Sequence, residues 1–384
     1  MRKTFLIVCI VLSIKSYSQN TKSFFFGRTT GKLPFLEYGI GDDRLGGAKM
    51  TYLDTNVLLK VIDSFKTDYK VQLSKNHTAY IDKGSIVPVP SGATDHLTNS
   101  WKVFGDSGFD YVTIMLDEKL PYRSIQQINP SRVVVEIFGV ESNTNWITQL
   151  SSTKEIINAW YEQPEDDVMK VIIDLKHKQH WGHSISYEGR RLIIKIKRQP
   201  KNPKLKYLTI AVDAGHGGDN TGATGVTTNI LEKDYTLLIA KQLQAALLKK
   251  KAKIFMTREI DTSLSMVERI EILKTKNPDM LISIHLNSSS RDSIQGVSTY
   301  YRYIGFRPLS VSILNNMRTL NLKEFGNVGA FNFSFSGPTD YPNCLVEVAF
   351  LSNKEDEKKI LSPAFHKAVA KKIVEGIEEF LKKL

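Results

Sequence analysis

Two histidines and two glutamates in the last half of the chain have the residue types of a mononuclear metal hydrolase. His216 closes the apolar run Leu208-Thr-Ile-Ala-Val-Asp-Ala-Gly-His216, and Glu232 opens the helical pattern Leu231-Glu-Lys-Asp-Tyr-Thr-Leu-Leu-Ile-Ala240. His285 ends Met280-Leu-Ile-Ser-Ile-His285, and Glu347 ends Cys344-Leu-Val-Glu347. Polar residues at the ends of buried strands and at a helix start are where an α/β fold places its ligands and catalysts. Two imidazoles and one carboxylate form a common zinc triad that leaves a fourth position for water. Zinc brings the pKa of such a water toward neutrality, and a further carboxylate must take its proton and return it to a leaving group. His216, Glu232 and His285 are the candidate ligands and Glu347 the candidate proton carrier. Taken singly, each has a plainer reading: a hydrogen-bonded structural histidine, a carboxylate set against a helix dipole, half of a salt bridge. All four falling on one ligand edge of a sheet weakens those readings.

The elements that must position them alternate between strand and helix. A strand ends at Ala214, a helix runs from about Leu231 to Lys250, a strand covers Ala252–Met256, and a helix lies near Leu264–Lys274. Strands at Met280–His285 and Gly296–Tyr303, a helix near Pro308–Leu320, a strand at Cys344–Val348 and a helix from Pro363 onward complete the pattern. Ala364, Val369, Ile373, Ile377 and Phe380 recur at helical spacing and predict one face packed on the sheet. The fold class is α/β, a catalytic sheet flanked by helices. Gly215, Gly217 and Gly218 predict a sharp turn off the strand beside the metal, with room for substrate.

The preceding residues read as one or two small, mainly-β domains. Short strand-like runs between 24 and 90 suit a small barrel or sandwich over 19–95, ending in a linker at Pro88-Val-Pro-Ser-Gly-Ala-Thr94. Alternating runs such as Tyr111–Leu116 and Arg132–Phe138 predict a second β-domain over 101–198, each strand with one buried and one wet face. Arg198-Gln-Pro-Lys-Asn-Pro-Lys204 reads as the linker to the last domain, 205–384. His177, His180 and His183 sit three apart in strand-like text, where alternation of faces prevents convergence on a second metal.

Residues 1–18 read as a signal peptide: Arg2 and Lys3, an apolar run from Phe5 to Ile14, and a small-x-small site at Ser16-Tyr-Ser18. Its removal leaves Cys344 as the one cysteine, so no intrachain disulfide forms, and an apolar setting makes Cys344 a buried structural residue. The expected location is exported: periplasm or cell envelope, with release to the outside medium as the alternative. The net charge of +12 is spread along the chain without a concentrated basic stripe, which argues against nucleic acid and suits a polyanionic wall polymer.

Asp213-Ala-Gly-His-Gly-Gly218, Leu231-Glu-Lys-Asp234, Thr257-Arg258, Ser283-Ile-His285 and Leu345-Val-Glu-Val-Ala-Phe-Leu-Ser-Asn353 together resemble the zinc-dependent N-acetylmuramoyl-L-alanine amidases of the Amidase_3 type. The resemblance runs from about Tyr207 to the C-terminus. It implies one zinc on His216, Glu232 and His285, Glu347 as the catalytic glutamate, and peptidoglycan as substrate, cut between the lactyl group and L-alanine. Ala349 and Leu273-Lys274 depart from the family's usual residues without touching a proposed ligand, and a retired amidase fold serving as a wall-binding scaffold is the rival expectation. Arg258 and Arg269 are candidates for a stem-peptide carboxylate or for a structural acid such as Asp261. Asn287 is a candidate substrate contact or a loop cap. Only 61 residues separate His285 from Glu347, which leaves little room for an inhibitory helical plug. The 101–197 region resembles an AMIN-type β-domain and residues 50–90 an SH3-type barrel. Both imply attachment to the wall or to division-site proteins.

Overall fold

The computed structural model describes residues 24–41 and 46–384, so the expected signal peptide lies outside the described residues. In the C-terminal half, a six-stranded sheet runs in the order Lys253–Met256, Thr209–Ala214, Met280–Asn287, Asn343–Phe350, Val297–Tyr300, Glu324–Val328. The first four strands are parallel. Val297–Tyr300 lies antiparallel to Asn343–Phe350 and carries Glu324–Val328 in parallel at the edge. Met280 to Leu286 is buried without a break, the pattern of a parallel strand covered on both faces.

Five helices accompany this sheet: α1 (Glu232–Lys249), α2 (Met266–Lys276), α3 (Arg307–Arg318), α4 (Lys354–Ile360) and α5 (Pro363–Leu381). Ile239 and Leu243 of α1, Ile313 and Met317 of α3, and Val369, Ile373, Ile377 and Phe380 of α5 share one core with the strands. Ala364, expected on that face, is exposed in the first turn of α5. The other face receives only α2, through Ile270 and Leu273, together with Phe335 and Tyr341. A capping box between Ser265 and Glu268 starts α2, and Asn277 in the left-handed conformation ends it. The edge strand Glu324–Val328 and α4 were not foreseen. Glu324-Phe-Gly-Asn-Val has little strand character and is held by ladder bonds on one side alone. The stretch from 288 to 342 is occupied by the two outer strands, α3 and short 3-10 turns, with no further long helix among the described residues.

The N-terminal half is all β. Residues 25–89 form a seven-stranded sheet in the order Lys49–Tyr52, Phe35–Glu37, Thr78–Asp82, Asp68–Gln72, Leu58–Ser64, Phe25–Thr29, Ile86–Val89. The Pro88–Thr94 stretch read as a linker is partly strand, since Ile86–Val89 pairs with Phe26–Thr29. Pro88 is tolerated there because that strand is an edge. Residues 96–197 form two sheets, one of them Tyr122–Ile128, Ser131–Phe138, Val168–Leu175 and Ile156–Glu165. Phe109–Leu116 in the other sheet alternates buried and half-buried residues as expected. Ser131–Phe138 is buried over its last six residues, because the 25–89 module covers its outer side. His77 packs its ring on Phe138 at 5.3 Å, and Leu36, Val61 and Val71 share one core with Val103, Val135 and Phe138. The 198–204 link is also tied down, with Arg198 Nη2 on Asp110 Oδ1 at 2.5 Å.

The 96–197 sheets are joined to the C-terminal half by specific contacts. Trp181 enters the core of the C-terminal half and stacks on Phe380 at 6.0 Å. The His183 N–H donates to Thr339 O at 2.8 Å, and the Gly305 N–H donates to Gln126 Oε1 at 2.9 Å. The three histidines diverge: His177 bonds Glu155 at 2.6 Å, His180 the Gln127 carbonyl at 2.8 Å and His183 the Ser124 hydroxyl at 2.9 Å. Burial, reinforced by neighbouring His180, pushes the pKa of His183 down to about 3 from an ordinary 6.5. The folded chain thus keeps His183 neutral where the unfolded chain takes up a proton. Stability is present above the unfolded value and is lost as pH falls below about 6.5. Urea unfolding of the full chain should show a lower midpoint at pH 5 than at pH 7, and His183→Gln should flatten that slope by up to ~1.4 kcal/mol per pH unit. Identical slopes for both proteins would count against a neutral His183.

Candidate metal and catalytic site

Three elements deliver the candidate ligands. The Thr209–Ala214 strand ends in a turn that leaves His216 at φ 61°, a left-handed conformation costly for most side chains and held only where the surroundings enforce it. Asn220 Oδ1 meets His216 Nδ1 at 2.8 Å, and Arg269 Nη2 donates to the His216 carbonyl at 2.5 Å. Glu232 stands at the first residue of α1, its Oε2 accepting the Ala223 N–H at 2.8 Å. His285 lies near the end of its strand and is buried.

Glu232 Oε1 is the point of convergence. It lies 3.1 Å from His216 Nε2 and 3.1 Å from His285 Nδ1, and it accepts the Leu286 N–H at 3.0 Å. Each of the three residues offers a ligand atom within 4.8 Å of the others. Two ligands bound at ~2.0–2.1 Å to a tetrahedral ion stand ~3.3 Å apart, so the spacing fits a divalent metal. His285 also keeps Nε2 buried without a hydrogen-bond partner, an unsatisfied ring nitrogen that coordination would occupy. Burial opposes charge on both sides of this contact. Even so, hydrogen bonding and charge raise the pKa of His216 and hold the Glu232 carboxyl well below the usual carboxylate range. Glu347 is half-buried and pairs in register with His285 on the adjacent parallel strand.

The surrounding residues place these groups. Asp213 is buried and accepts from Arg269 Nη1 at 2.5 Å, Thr257 Oγ1 at 2.6 Å and Ser283 Oγ at 2.6 Å. Burial alone would raise its pKa; Arg269, His285 and the two hydroxyls hold it low. Asp213, Thr257 and Ser283 were visible in the motif frames but had no role assigned. Arg258 and Arg269 are 3% and 1% exposed. Arg258 donates to the carbonyls of Ala214, Gly215 and Lys233, and Arg269 to those of Ala214 and His216. Both guanidinium groups are engaged by backbone carbonyls inside the domain, the arrangement of the structural alternative. The acid partner of Arg269 is Asp213, and Asp261 pairs with Lys233 at 2.7 Å. Asn287 is half-buried: its Oδ1 accepts the Ser288 N–H at 2.8 Å and its Nδ2 reaches Tyr300 at 3.2 Å. Ala349 is fully buried in the apolar core and Lys274 is exposed on α2.

Two glycines near the ligands are required by close approach. A Cβ on Gly215 would stand 2.4 Å from the His285 ring, and one on Gly222 2.5 Å from Glu232 Oε2. The tight packing at Gly215 therefore accommodates the ring of a candidate ligand, where the sequence suggested space for substrate.

Residues 210–379 match the family model described as N-acetylmuramoyl-L-alanine amidase. Over 190 residues the chain is 32% identical to a probable cell wall amidase LytH of Staphylococcus saprophyticus, covering 49% of this chain and 64% of that protein. Its counterpart in Staphylococcus aureus is 31% identical over 187 residues, covering 48% and 62%. The chain thus spans less than two thirds of the length of these curated relatives. The solved catalytic domain of CwlV, an N-acetylmuramoyl-L-alanine amidase from Bacillus (Paenibacillus) polymyxa, is 29% identical, with a TM-score of 0.44 over 46% of this chain and 98% of that one. The family match and the matches to these relatives fall in the C-terminal half of the chain.

Gly215 lies outside the left-handed region, so Gly215→Ala tests crowding of the ligand without backbone strain. Metal analysis after dialysis should show the variant losing most of its bound divalent ion while its far-UV circular dichroism matches wild type. Full metal content in the variant would contradict the proposed ligand packing.

Proposed function

We propose that the protein is an exported, zinc-dependent N-acetylmuramoyl-L-alanine amidase acting on the amide between the lactyl group of N-acetylmuramic acid and the L-alanine of peptidoglycan stem peptides. One observation carries the reading: His216, Glu232 and His285 converge within 4.8 Å, with Glu347 level with His285 on the next strand. The amidase match over residues 210–379 supplies the substrate class.

In this reading His216, Glu232 and His285 hold the ion. Zinc, when bound, supplies Lewis acidity toward the scissile carbonyl and lowers the pKa of water. The two carboxylates divide the remaining work. Glu232 is kept ionised by its two imidazoles and serves as ligand, which leaves proton transfer to Glu347. Glu347 takes a proton from the attacking water and delivers it to the alanyl nitrogen as the C–N bond breaks. The water oxygen ends in the lactyl carboxylate and the stem peptide leaves as an amine. His216 is positioned by Asn220 and Arg269, so its lone pair is directed before any ligand arrives. A net charge of +12 favours approach to a polyanionic wall. The β-rich modules, read as SH3-like and AMIN-like, would add attachment to the wall or to division-site proteins.

The test is mass analysis of products from purified peptidoglycan incubated with zinc-loaded residues 19–384. Stem peptides with a free L-alanine amine should accumulate. Glu347→Ala should keep its zinc and lose turnover by ~10²–10⁴-fold. Peptidoglycan bound but left intact by the wild type would favour the scaffold reading, and fragments cut within the stem would point to a peptidase.

A further inference from the structure

We infer that the N-terminal β-module sets one wall of the candidate active site, by pinning the Phe331–Phe335 segment so that Phe333 stands against His285. The position of the segment follows from its contacts alone; what Phe333 would touch rests on the amidase reading above.

Phe333 meets the His285 ring edge-on, with centroids 5.7 Å apart and planes at 85°. Phe331 packs on Tyr300 at 4.5 Å and lies 6.2 Å from Phe333. Phe331, Asn332 and Phe333 are half-buried, and Phe333 is extended, with φ −93° and ψ 130°. Successive side chains of an extended segment point to opposite sides. Phe331 and Phe333 face the site, and Asn332 between them faces the N-terminal module.

The catalytic sheet does little to hold this segment. The chain leaves the edge strand at Val328 and passes through exposed Gly329 and Ala330, the latter at φ 53°. A single ladder-like bond follows, from the Phe331 N–H to Tyr301 O at 3.2 Å. The firmer anchors come from the module. Asn332 Oδ1 accepts the Lys49 N–H at 3.0 Å, and Asn332 Nδ2 donates to Gly47 O at 2.7 Å. Lys49–Tyr52 is the edge strand of the seven-stranded sheet. An edge strand presents unpaired N–H and C=O groups, and the Asn332 carboxamide, one acceptor and two donors, supplies what a neighbouring peptide would. Arg302 donates to the Lys49 carbonyl and to Asn332 Oδ1. The Tyr52 hydroxyl donates to Ser334 O at 3.0 Å. Beneath, Phe335 packs with α2 and with Leu33 and Tyr52 of the module.

Asn332 is therefore a positioning residue, and Phe333 is an apolar surface for the carbon-rich groups that flank the scissile amide. A module that only attaches the enzyme to the wall would not influence cleavage of a small soluble substrate. A module that sets Phe333 would.

Full-length wild type, Asn332→Ala, Asn332→Asp and Phe333→Ala should be compared by hydrogen exchange over residues 329–337, by zinc content, and by kcat and KM on a soluble muramoyl-peptide. Asn332→Ala removes two hydrogen bonds across the seam, so exchange in the segment and KM should each rise about tenfold with zinc content unchanged and kcat nearly so. Asn332→Asp keeps the acceptor for Lys49 and Arg302 and should recover part of the loss. Phe333→Ala should raise KM while leaving exchange at the Lys49 anchor as in wild type. Unchanged exchange in Asn332→Ala would overturn the pinning. Faster exchange with unchanged KM would overturn the role of the wall. A wild type that binds zinc and cleaves nothing, yet shows the exchange response, would sink the amidase reading while supporting the pinning.

Discussion

A carboxylate buried among strand ends must be neutralised by charge and hydrogen bonds, and Asp213 is placed so that its neutralisation builds the site. Thr257, just past the end of one neighbouring strand, and Ser283, within the other, donate to it, and Arg269 reaches it from α2. Removing one partner of a buried pair typically costs ~3–5 kcal/mol because the other is left charged and unpaired. Arg269 does more than neutralise: its remaining donors take the carbonyls of Ala214 and His216. The ion pair thus registers three strands against a helix and fixes the left-handed turn from which His216 projects. Arg258 adds the carbonyls of Gly215 and Lys233, tying that turn to the start of α1 and so to Glu232.

From this frame the ligands follow with little freedom. Gly215 lets His285 approach the turn, Gly222 lets the following loop pass over Glu232, and Glu232 meets both imidazoles with one oxygen. The parallel register of two central strands then sets Glu347 beside His285. The site therefore holds one carboxylate kept ionised by its neighbours and a second on the strand beside His285.

The two faces of the C-terminal sheet are covered unequally, and the packing of the N-terminal half depends on that inequality. α1, α3 and α5, with Ile360 of α4, fill one face, whereas the other has α2 and a short aromatic segment packed with Leu33 and Tyr52 of the N-terminal module. Trp181 performs a similar service at the far side by stacking on Phe380. The β-rich half is packed into the C-terminal half rather than trailing from it, and the C-terminal sheet owes part of its enclosure to residues more than a hundred positions away.

Much of this was legible in the sequence. Strand and helix alternation after residue 205 follows from hydrophobic periodicity, which is local, and the four chemical residues stand at the ends of those runs. Their frames carried the resemblance to the amidase family. Other features depended on contacts between distant residues. The acid partner of Arg269 could not be read, because Asp213 and Asp261 were equally available in the sequence. The edge strand Glu324–Val328 has no pattern of its own and exists because a neighbouring backbone offers hydrogen bonds. Asn332 reads as an ordinary loop residue until Gly47 and Lys49 are brought beside it. Periodicity is a property of a few consecutive residues, so the sequence by itself determined the elements and the chemistry at their ends. Which buried charge meets which, and which half covers which face, are decided by pairing across long separations, and only the tertiary structure settles them.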